Sequence, residues 1–318
     1  MLLRSALLVT ALTLGACAPS ERPREAAVPT PATLAAQAAV VIASDPAWGN
    51  TEGPAFDSKG TLFFCARGKF KGIVAWTAKE GARRHVEIDA INGPGGLWID
   101  DQDQIFVTGP GERKVWKVTP EKKISVLAKG FEADPKKAKG PNDLVVAPNK
   151  SVYFTDPNGF YGEAPAGTVY RLTPEGNVSV FDNTIVGPNG ITISQDGKTL
   201  IIAGNVAKST SKITKILLQE DGSAGARSEL ATIENCVADG MDVDSAGRVW
   251  LACYSFGTAY RIGPDGRIEE TLTTAQKALT NCFFGRGADR MNLYLTSSDM
   301  ERVTGYVYKA KVATPGFR

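Results

Sequence analysis

Six positions along the chain could bring oxygen ligands to one place. They lie 42 to 50 residues apart, and each stands at the start of a short apolar run: Glu52, Gly95, Asn142, Asn189, Asp239 and Asn281. Five of the six carry a side-chain oxygen, and none is histidine or cysteine. Carboxylate and amide oxygens are the ligands that Ca²⁺ and Mg²⁺ prefer, and Mn²⁺ accepts them as well. The spacing therefore predicts one site for a hard divalent cation.

The same residues also allow a simpler interpretation. Asn-Gly and Asp-Gly pairs often bond only the backbone of their own turn. In the metal interpretation, Glu52 and Asp239 supply two negative charges, and Asn142 and Asn189 supply amide oxygens. Two buried carboxylates placed close together are unfavourable unless a cation accompanies them. The recurrence of such residues at four equivalent positions favours the metal.

The repeats themselves predict the elements that position these residues. A period of about forty to fifty residues, with short apolar runs between polar turns, is typical of a β-propeller blade. In the third repeat, residues 143–146, 152–155, 169–172 and 178–181 read as four antiparallel strands. The sequence thus predicts an all-β fold, a six-bladed β-propeller with four-stranded antiparallel blades around a central channel. Residues 40–42 are expected to add a strand to the last blade and close the ring.

Composition narrows the chemistry further. The chain has 318 residues and a formal net charge of +2, so no nucleic-acid or strongly charged partner is indicated. Its one histidine, His85, excludes a multi-histidine zinc site and disfavours a Ser–His–Asp mechanism. Acid–base chemistry would therefore fall to carboxylates, Lys, Tyr, Cys or a metal-bound water.

The N-terminus reads as a targeting segment. Arg4 precedes a short apolar stretch, and residues 14–17, Leu-Gly-Ala-Cys, resemble a bacterial lipobox. We expect residues 1–16 to be a lipoprotein signal peptide, Cys17 to be lipidated, residues 17–39 to be a flexible Ala/Pro-rich tether and residues 40–318 to be the propeller. The protein would then be exported and held in the bacterial envelope by its lipid alone, facing the periplasm. A plain secretory signal is the alternative.

Four further cysteines are open to two interpretations. They are Cys65, Cys236, Cys253 and Cys282. An exported location permits disulfides, and the positions of Cys236 and Cys282 suggest a bridge between adjacent blades. Unpaired buried thiols are the other interpretation, and the sequence does not decide between them.

Several motifs resemble the SMP-30/gluconolactonase/regucalcin family, in the family's order and over residues 46 to 312. They are Thr51-Glu52-Gly53-Pro54, Gly140-Pro141-Asn142-Asp143-Leu144 with Tyr153-Phe154-Thr155-Asp156-Pro157, Pro188-Asn189-Gly190-Ile191 and Asp239-Gly240-Met241-Asp242. The resemblance implies a six-bladed propeller that holds one divalent cation and hydrolyses sugar lactones or, in relatives, organophosphates. It implies that Glu52, Asn189 and Asp239 are direct ligands, that Asn142 binds metal or substrate, and that Asp239 is the general base or nucleophile.

The chain departs from the family's pattern at three places. Gly95 stands where many gluconolactonases have Asn, Gly140 where they often have a substrate-binding Arg, and Cys65-Ala66 where Ser-Asp is expected. The cation site is thus kept while its surroundings differ, so a substrate other than gluconolactone is expected. We assign substrate binding to four residues: Asn142, Asn281, Tyr161 and Glu163.

These observations lead to one functional prediction and two alternatives. The prediction is a monomeric metal-dependent lactonase acting on a small lactone or ester, with Asp239 as base and one bound cation. Ca²⁺ is the first choice, with Mg²⁺, Mn²⁺ or Zn²⁺ as the others. The alternatives are an organophosphate or ester hydrolase that uses the same cation site, and a non-catalytic envelope propeller.

Overall fold

The computed structural model describes residues 36–89, 92–131, 140–158 and 167–318, and these residues form almost only β-strands. The described part contains one short 3-10 turn, Gly287–Asp289, and no α-helix. It therefore contains no apolar helix of the length that crosses a bilayer. Cys17, Tyr161 and Glu163 lie outside the described residues, as do the predicted signal peptide and most of the predicted tether.

Four sheets each consist of four antiparallel strands that follow one another in the chain. Two short strands precede them, β1 (Gln37–Ala38) and β2 (Val40–Asp45). The first sheet is β3 (Thr51–Phe56), β4 (Leu62–Arg67), β5 (Lys71–Thr77) and β6 (Gly81–Glu87). The second is β7 (Leu97–Ile99), β8 (Ile105–Gly109), β9 (Lys114–Val118) and β10 (Ile124–Lys129). The third is β11 (Leu144–Val146), β12 (Val152–Asp156), β13 (Thr168–Leu172) and β14 (Val178–Asp182). The fourth is β15 (Pro188–Ile193), β16 (Thr199–Ala207), β17 (Thr210–Leu218) and β18 (Ala224–Glu234).

The remaining strands form one nine-stranded sheet made of two such meanders. One meander is β19 (Val237–Val243), β20 (Val249–Tyr254), β21 (Thr258–Ile262) and β22 (Ile268–Thr273). The other begins with β23 (Ala278–Phe284), β24 (Asn292–Ser298) and β25 (Gly305–Lys311). Strand β2 pairs antiparallel with β25 and completes it, as predicted for residues 40–42. A single residue pair, Tyr254 with Ala278, joins the two meanders.

The first strand of each meander contacts its counterparts in the neighbouring meanders. β3 contacts β7, β7 contacts β11, β11 contacts β15, β15 contacts β19, β19 contacts β23, and β23 contacts β3 again. We call these six the ring strands. They are short, and β3, β7, β11, β15 and β23 are buried at every residue, which is expected of strands packed on both faces. The six ring strands therefore form a closed series of contacts.

The cysteines pair within one meander. Cys236, the residue before β19, is bonded to Cys253 of β20, and the sulfurs are 1.98 Å apart. Cys65 and Cys282 are free and buried. The bridge suggested between Cys236 and Cys282 is therefore wrong. The register of β19 against β20 explains why Cys236 pairs with Cys253. It places Ala238 opposite Cys253, and Cys236, two residues earlier, therefore lies beside Cys253 of β20.

Candidate functional site

A cavity of about 340 Å³ lies at the N-terminal ends of the ring strands. Most of the residues that line it are polar: Asn50, Glu52, Arg67, Asn92, Pro110, Gly140, Asn142, Pro157, Asn189, Val237, Asp239, Tyr254, Thr280 and Arg302. All four predicted metal ligands, Glu52, Asn142, Asn189 and Asp239, are among them. The structure thus brings together side chains that are up to 187 residues apart in the sequence.

Bulges at the starts of the ring strands free the predicted ligands from the sheet. In β15 the strand pairing passes from Pro188 to Ile191, and in β19 it passes from Ala238 to Met241. Asn189 and Asp239 lie in these unpaired steps. A β-bulge re-aims the side chains at its position and is common beside functional sites. The Asn-Gly and Asp-Gly pairs that mark the repeats in the sequence are therefore bulges whose first side chain faces the cavity.

Threonine hydroxyls fix the backbone that carries two of the predicted ligands. Thr155 Oγ1 of β12 donates to the carbonyl oxygen of Asn189 at 2.5 Å. Thr108 Oγ1 of β8 donates to the carbonyl oxygen of Asn142 at 2.7 Å. In both cases the threonine belongs to the preceding meander, so each contact ties two neighbouring meanders together. Such buried hydrogen bonds limit the motion of the side chains that the backbone carries.

Asn281, predicted to bind substrate, lies behind Glu52 and is absent from the cavity lining. Its Nδ2 donates to Glu52 Oε2 at 3.1 Å, and its Oδ1 accepts from the backbone N–H of Cys282 at 2.8 Å. The bulge in β23 falls on Thr280, since pairing passes from Leu279 to Asn281. Thr280 consequently faces the cavity, and Asn281 holds Glu52 in place.

The donor set fits a hard cation. Asn189 Oδ1 is buried and has no hydrogen-bond partner among the described residues. Glu52 accepts bonds from Gly53 N–H and Asn281 Nδ2 through Oε2, not through Oε1. Within the described chain no group of three or more His, Cys, Asp or Glu side chains is arranged to hold a metal, so any ion here would need the amides. Two carboxylates with amide oxygens are a ligand set for Ca²⁺ or Mg²⁺.

Like charges meet at this end of the ring strands. Burial raises the pKa of Asp239 well above its usual value, and the nearby carboxylates of Glu52 and Asp143 raise it further. Burial also raises the pKa of Glu52, against the hydrogen bond from Asn281, which lowers it. A cation favours the ionised form of every carboxylate near it, so it would lower all of these pKa values. The buried carboxylates of the cavity therefore favour the binding of a cation.

Sequence reasoning missed four residues here: Asp143, Arg67, Arg302 and Tyr254. Asp143 occupies the position where the five other repeats have glycine or cysteine after the first residue, and no general rule singles it out. Arg67 ends β4, next to the Cys65-Ala66 departure, and Arg302 lies in the turn between β24 and β25. Tyr254 ends β20. The only available signal in the sequence for Arg67, Arg302 and Tyr254 would have been their place, since these residues end a strand or lie in a turn close to the start of a ring strand.

Two of the departures noted in the sequence have a steric cause. A Cβ at Gly95 would lie 2.5 Å from Thr108 Oγ1 and 2.9 Å from the carbonyl oxygen of Asn142. Gly140 has a φ of 84°, and a Cβ there would overlap the carbonyl oxygen of Pro110. At Gly140 the left-handed conformation and the backbone of Pro110 exclude the expected arginine, and at Gly95 an asparagine would require the Thr108 hydroxyl and the Asn142 backbone to shift.

Comparison with known proteins gives one family and a shared fold. Residues 50–299 match the family model described as the SMP-30/gluconolactonase/LRE-like region. A gluconolactonase of Zymomonas mobilis is 26% identical over 276 residues, which cover 77% of this chain and 75% of that protein. Regucalcin of Gallus gallus is 27% identical over 260 residues, 78% of this chain and 82% of that protein. The structure of a regucalcin from Agrobacterium tumefaciens, described as calcium-binding, superposes with a TM-score of 0.71 at 20% identity and covers 88% of this chain and 97% of that one.

Proposed function

The chain belongs to the SMP-30/gluconolactonase/LRE-like family, and from this membership and the geometry of the cavity we propose that it is a metal-dependent lactone hydrolase. Relatives that cover about three quarters of it include a gluconolactonase and a regucalcin. We also propose that the six meanders are the blades of a six-bladed propeller. The closed series of contacts among the ring strands supports this architecture.

One observation carries the proposal: Glu52, Asn142, Asn189 and Asp239, each from a different repeat, line one cavity in which the buried Asn189 Oδ1 has no partner among the described residues. A non-catalytic scaffold has no need of an orphaned amide oxygen beside two carboxylates. Glu52, Asn189 and Asp239 would hold the cation, and Asn142 would complete the set or contact substrate. Ca²⁺ is the first choice because every donor is oxygen. A bound divalent cation would polarise the lactone carbonyl and increase the acidity of a nearby water.

The chain's own residues supply the proton transfers. Water attacks the carbonyl carbon of the lactone, and Asp239 accepts the proton that this water gives up. When the ring C–O bond breaks, Asp239 returns the proton to the departing ring oxygen, so the product is an open hydroxy acid. Burial and the carboxylates of Glu52 and Asp143 raise the pKa of Asp239, and a bound cation would lower it again, so much of the activation of the water would come from the cation. Asn142 can donate its amide N–H groups to the carbonyl oxygen as negative charge develops there.

The substrate class is tested directly by a panel assay. The purified protein, with Ca²⁺ and with a chelator, is given aldonolactones, aryl esters and phosphotriesters. We expect hydrolysis of at least one lactone that stops on chelation and returns with Ca²⁺. Turnover of phosphotriesters or aryl esters alone would replace the lactonase assignment by one of the alternatives, and no turnover of any compound would remove the enzyme assignment.

We further propose an exported monomer that is anchored through lipid on Cys17 and faces the periplasm. The support is the sequence alone, with Arg4 before an apolar stretch and Leu14-Gly15-Ala16-Cys17 after it. Labelling of cells with a radioactive fatty acid should mark the wild-type chain and leave a Cys17→Ser chain unmarked. Equal labelling of both chains would contradict the anchor.

A further inference from the structure

The cavity wall carries two guanidinium groups that pair with no carboxylate among the described residues. Arg67 donates from Nε to the carbonyl oxygen of Asn92 at 3.1 Å. Arg302 donates from Nε and from one Nη to the hydroxyl of Tyr254, at 3.2 and 3.0 Å. All these acceptors are neutral. Two partly buried arginines elsewhere in the molecule differ from them, because Arg248 and Arg318 each meet an aspartate oxygen within 3.1 Å.

The two arginines come from separate elements and reach the same cavity. Arg67 is the last residue of β4, and Arg302 stands in the turn between β24 and β25 with a φ of 58°. Burial lowers the pKa of Arg67, the nearby carboxylate of Glu52 raises it, and the like charge of Arg302 lowers it, so the two guanidiniums lie close enough to repel each other. An anion bound between the two guanidiniums would reduce their mutual repulsion.

The carboxylates of the cavity cannot serve as that anion once a divalent cation is bound. Glu52 and Asp239 would then balance the two charges of the ion. Asp143, which lies near Asp239, adds one more negative charge, so at least one of the two guanidiniums would be left without a counter-charge. Gly140 supplies no charge to the cavity wall, because its conformation and the backbone of Pro110 exclude a side chain there. A guanidinium binds planar oxyanions through two parallel hydrogen bonds, so the missing partner has the chemistry of a carboxylate or sulfonate.

Resting on the proposed function, we propose that the lactone opened in this cavity carries an oxyanion substituent, which Arg67 and Arg302 hold while the ring faces Asp239. Hydrolysis consumes one water and breaks the ring C–O bond. A carboxylate-bearing lactone then gives a hydroxy dicarboxylate. The two arginines do not take part in the bond changes and determine which lactone is accepted.

The test compares three lactones that share one sugar ring and differ at its terminal carbon. One carries a hydroxymethyl group, one a carboxylate and one a sulfonate. We expect wild-type kcat/KM to favour at least one of the anionic lactones about ten- to a hundredfold, the range of a charged hydrogen bond. In Arg67→Gln and Arg302→Gln this ratio should fall to about one, mainly through KM, and Arg67→Lys should lie between. Comparing carboxylate with sulfonate identifies the preferred oxyanion.

A control separates this effect from a general change of charge. Arg267→Gln removes a cation whose side chain is 76% exposed and lies outside the cavity, and it should leave the ratio as in the wild type. Thermal unfolding of each variant checks that it is folded. A wild-type ratio near one, or equal losses for the neutral and anionic lactones in the two glutamine variants, would overturn the inference and leave the lactonase proposal standing.

Failure of the proposed function gives a different result. The wild type would then open none of the three lactones, while calorimetric titration with the open-chain dicarboxylate would still test the arginine pair. Binding that weakens about tenfold or more in Arg67→Gln would support the anion site, and no binding to the wild type would contradict it.

Discussion

Asp239 and Asp242 lie three residues apart on β19, and the ring strands place them in opposite surroundings. Asp242 accepts bonds from the backbone N–H groups of Val243 and Phe284 at 2.9 and 3.0 Å, and it pairs with Arg318 at 3.1 Å. Asp239 has no hydrogen bond to its carboxylate among the described residues. The carboxylates of Glu52 and Asp143 raise its pKa, and Arg67 and Arg302 lower it from a distance rather than through an ion pair. The chain therefore supplies a complete set of partners to one aspartate and leaves the other without them.

The surroundings of Asp242 and Asp239 on β19 also differ in their aromatic packing. The Arg318 guanidinium lies 4.0 Å from the centre of the Trp98 ring and 4.9 Å from that of Phe283, so it is covered where it meets Asp242. At the cavity end the lining consists mainly of polar groups. Removing one partner of a buried charge pair is strongly destabilising, whereas a charge without such partners can bind a ligand. The pairing of each aspartate thus distinguishes a structural carboxylate from one available for chemistry.

The largest expected effect is on activity. Asp239→Asn keeps the shape of the side chain but removes the base, so kcat for lactone opening should fall about a thousandfold. Asp242→Asn should keep kcat within about threefold and lower the melting temperature, because it leaves Arg318 buried without its partner. Steady-state hydrolysis and thermal unfolding measure both. A comparable loss of kcat in the two variants would show that Asp239 and Asp242 do not differ in their roles as described.

Arg318→Ala should have the largest effect on stability. It leaves the Asp242 carboxylate, which is 1% exposed, without its cation, and breaking such a pair costs about 3–5 kcal/mol. Combining it with Asp242→Asn should restore part of the loss, since no charge is then left unpaired. Urea unfolding gives the free energies. A loss below about 1 kcal/mol in the single variant would mean that this pair contributes little.

A smaller effect is expected from pH. The folded state raises the pKa of Glu52, Asp143 and Asp239, so it binds more protons than the unfolded chain above their usual pKa values near 4. Without metal, the free energy of unfolding should therefore be highest at low pH and decrease as the pH rises through the raised folded values. Ca²⁺ should reduce this decrease by favouring the ionised forms. Urea unfolding from pH 5 to pH 8, with chelator or Ca²⁺, measures it, and equal slopes would contradict it.

The smallest expected effect comes from the hydroxyl contacts. Thr155→Val removes the bond to the Asn189 carbonyl and should lower the free energy of unfolding by about 1 kcal/mol. It should also weaken Ca²⁺ binding several-fold, since Asn189 would be less well held. Thr232→Val is the control, because among the described residues the Thr232 hydroxyl bonds only the exposed Glu229, so its loss should change neither quantity. Unchanged Ca²⁺ affinity in Thr155→Val would remove its positioning role.

The repeat in the sequence predicted much of the architecture and the four candidate ligands. Strands β11 to β14 lie within one residue of the predicted runs, because turn residues and apolar alternation define strand ends locally. Asn142 and Asn189 were found because equivalent residues recur at equivalent positions.

What the sequence did not predict depends on register and on residues without repeat equivalents. The bulge in β23 lies on Thr280, so Asn281 turns behind Glu52, and nothing local indicates that shift. The disulfide follows from the pairing of β19 with β20, which brings Cys236 close to Cys253. Arg67 and Arg302 have no counterparts in other repeats, so only the folded chain shows that they share a cavity.

Titration of the metal-stripped protein with Ca²⁺ in a calorimeter tests the central claim most directly, namely that the four oxygen side chains hold one divalent cation. We predict that one ion binds per chain, that Asp239→Asn and Asn189→Ala weaken binding at least tenfold, and that Asp242→Asn binds as the wild type does. Absence of binding by Ca²⁺, Mg²⁺, Mn²⁺ and Zn²⁺, or binding that neither cavity variant alters, would contradict the account.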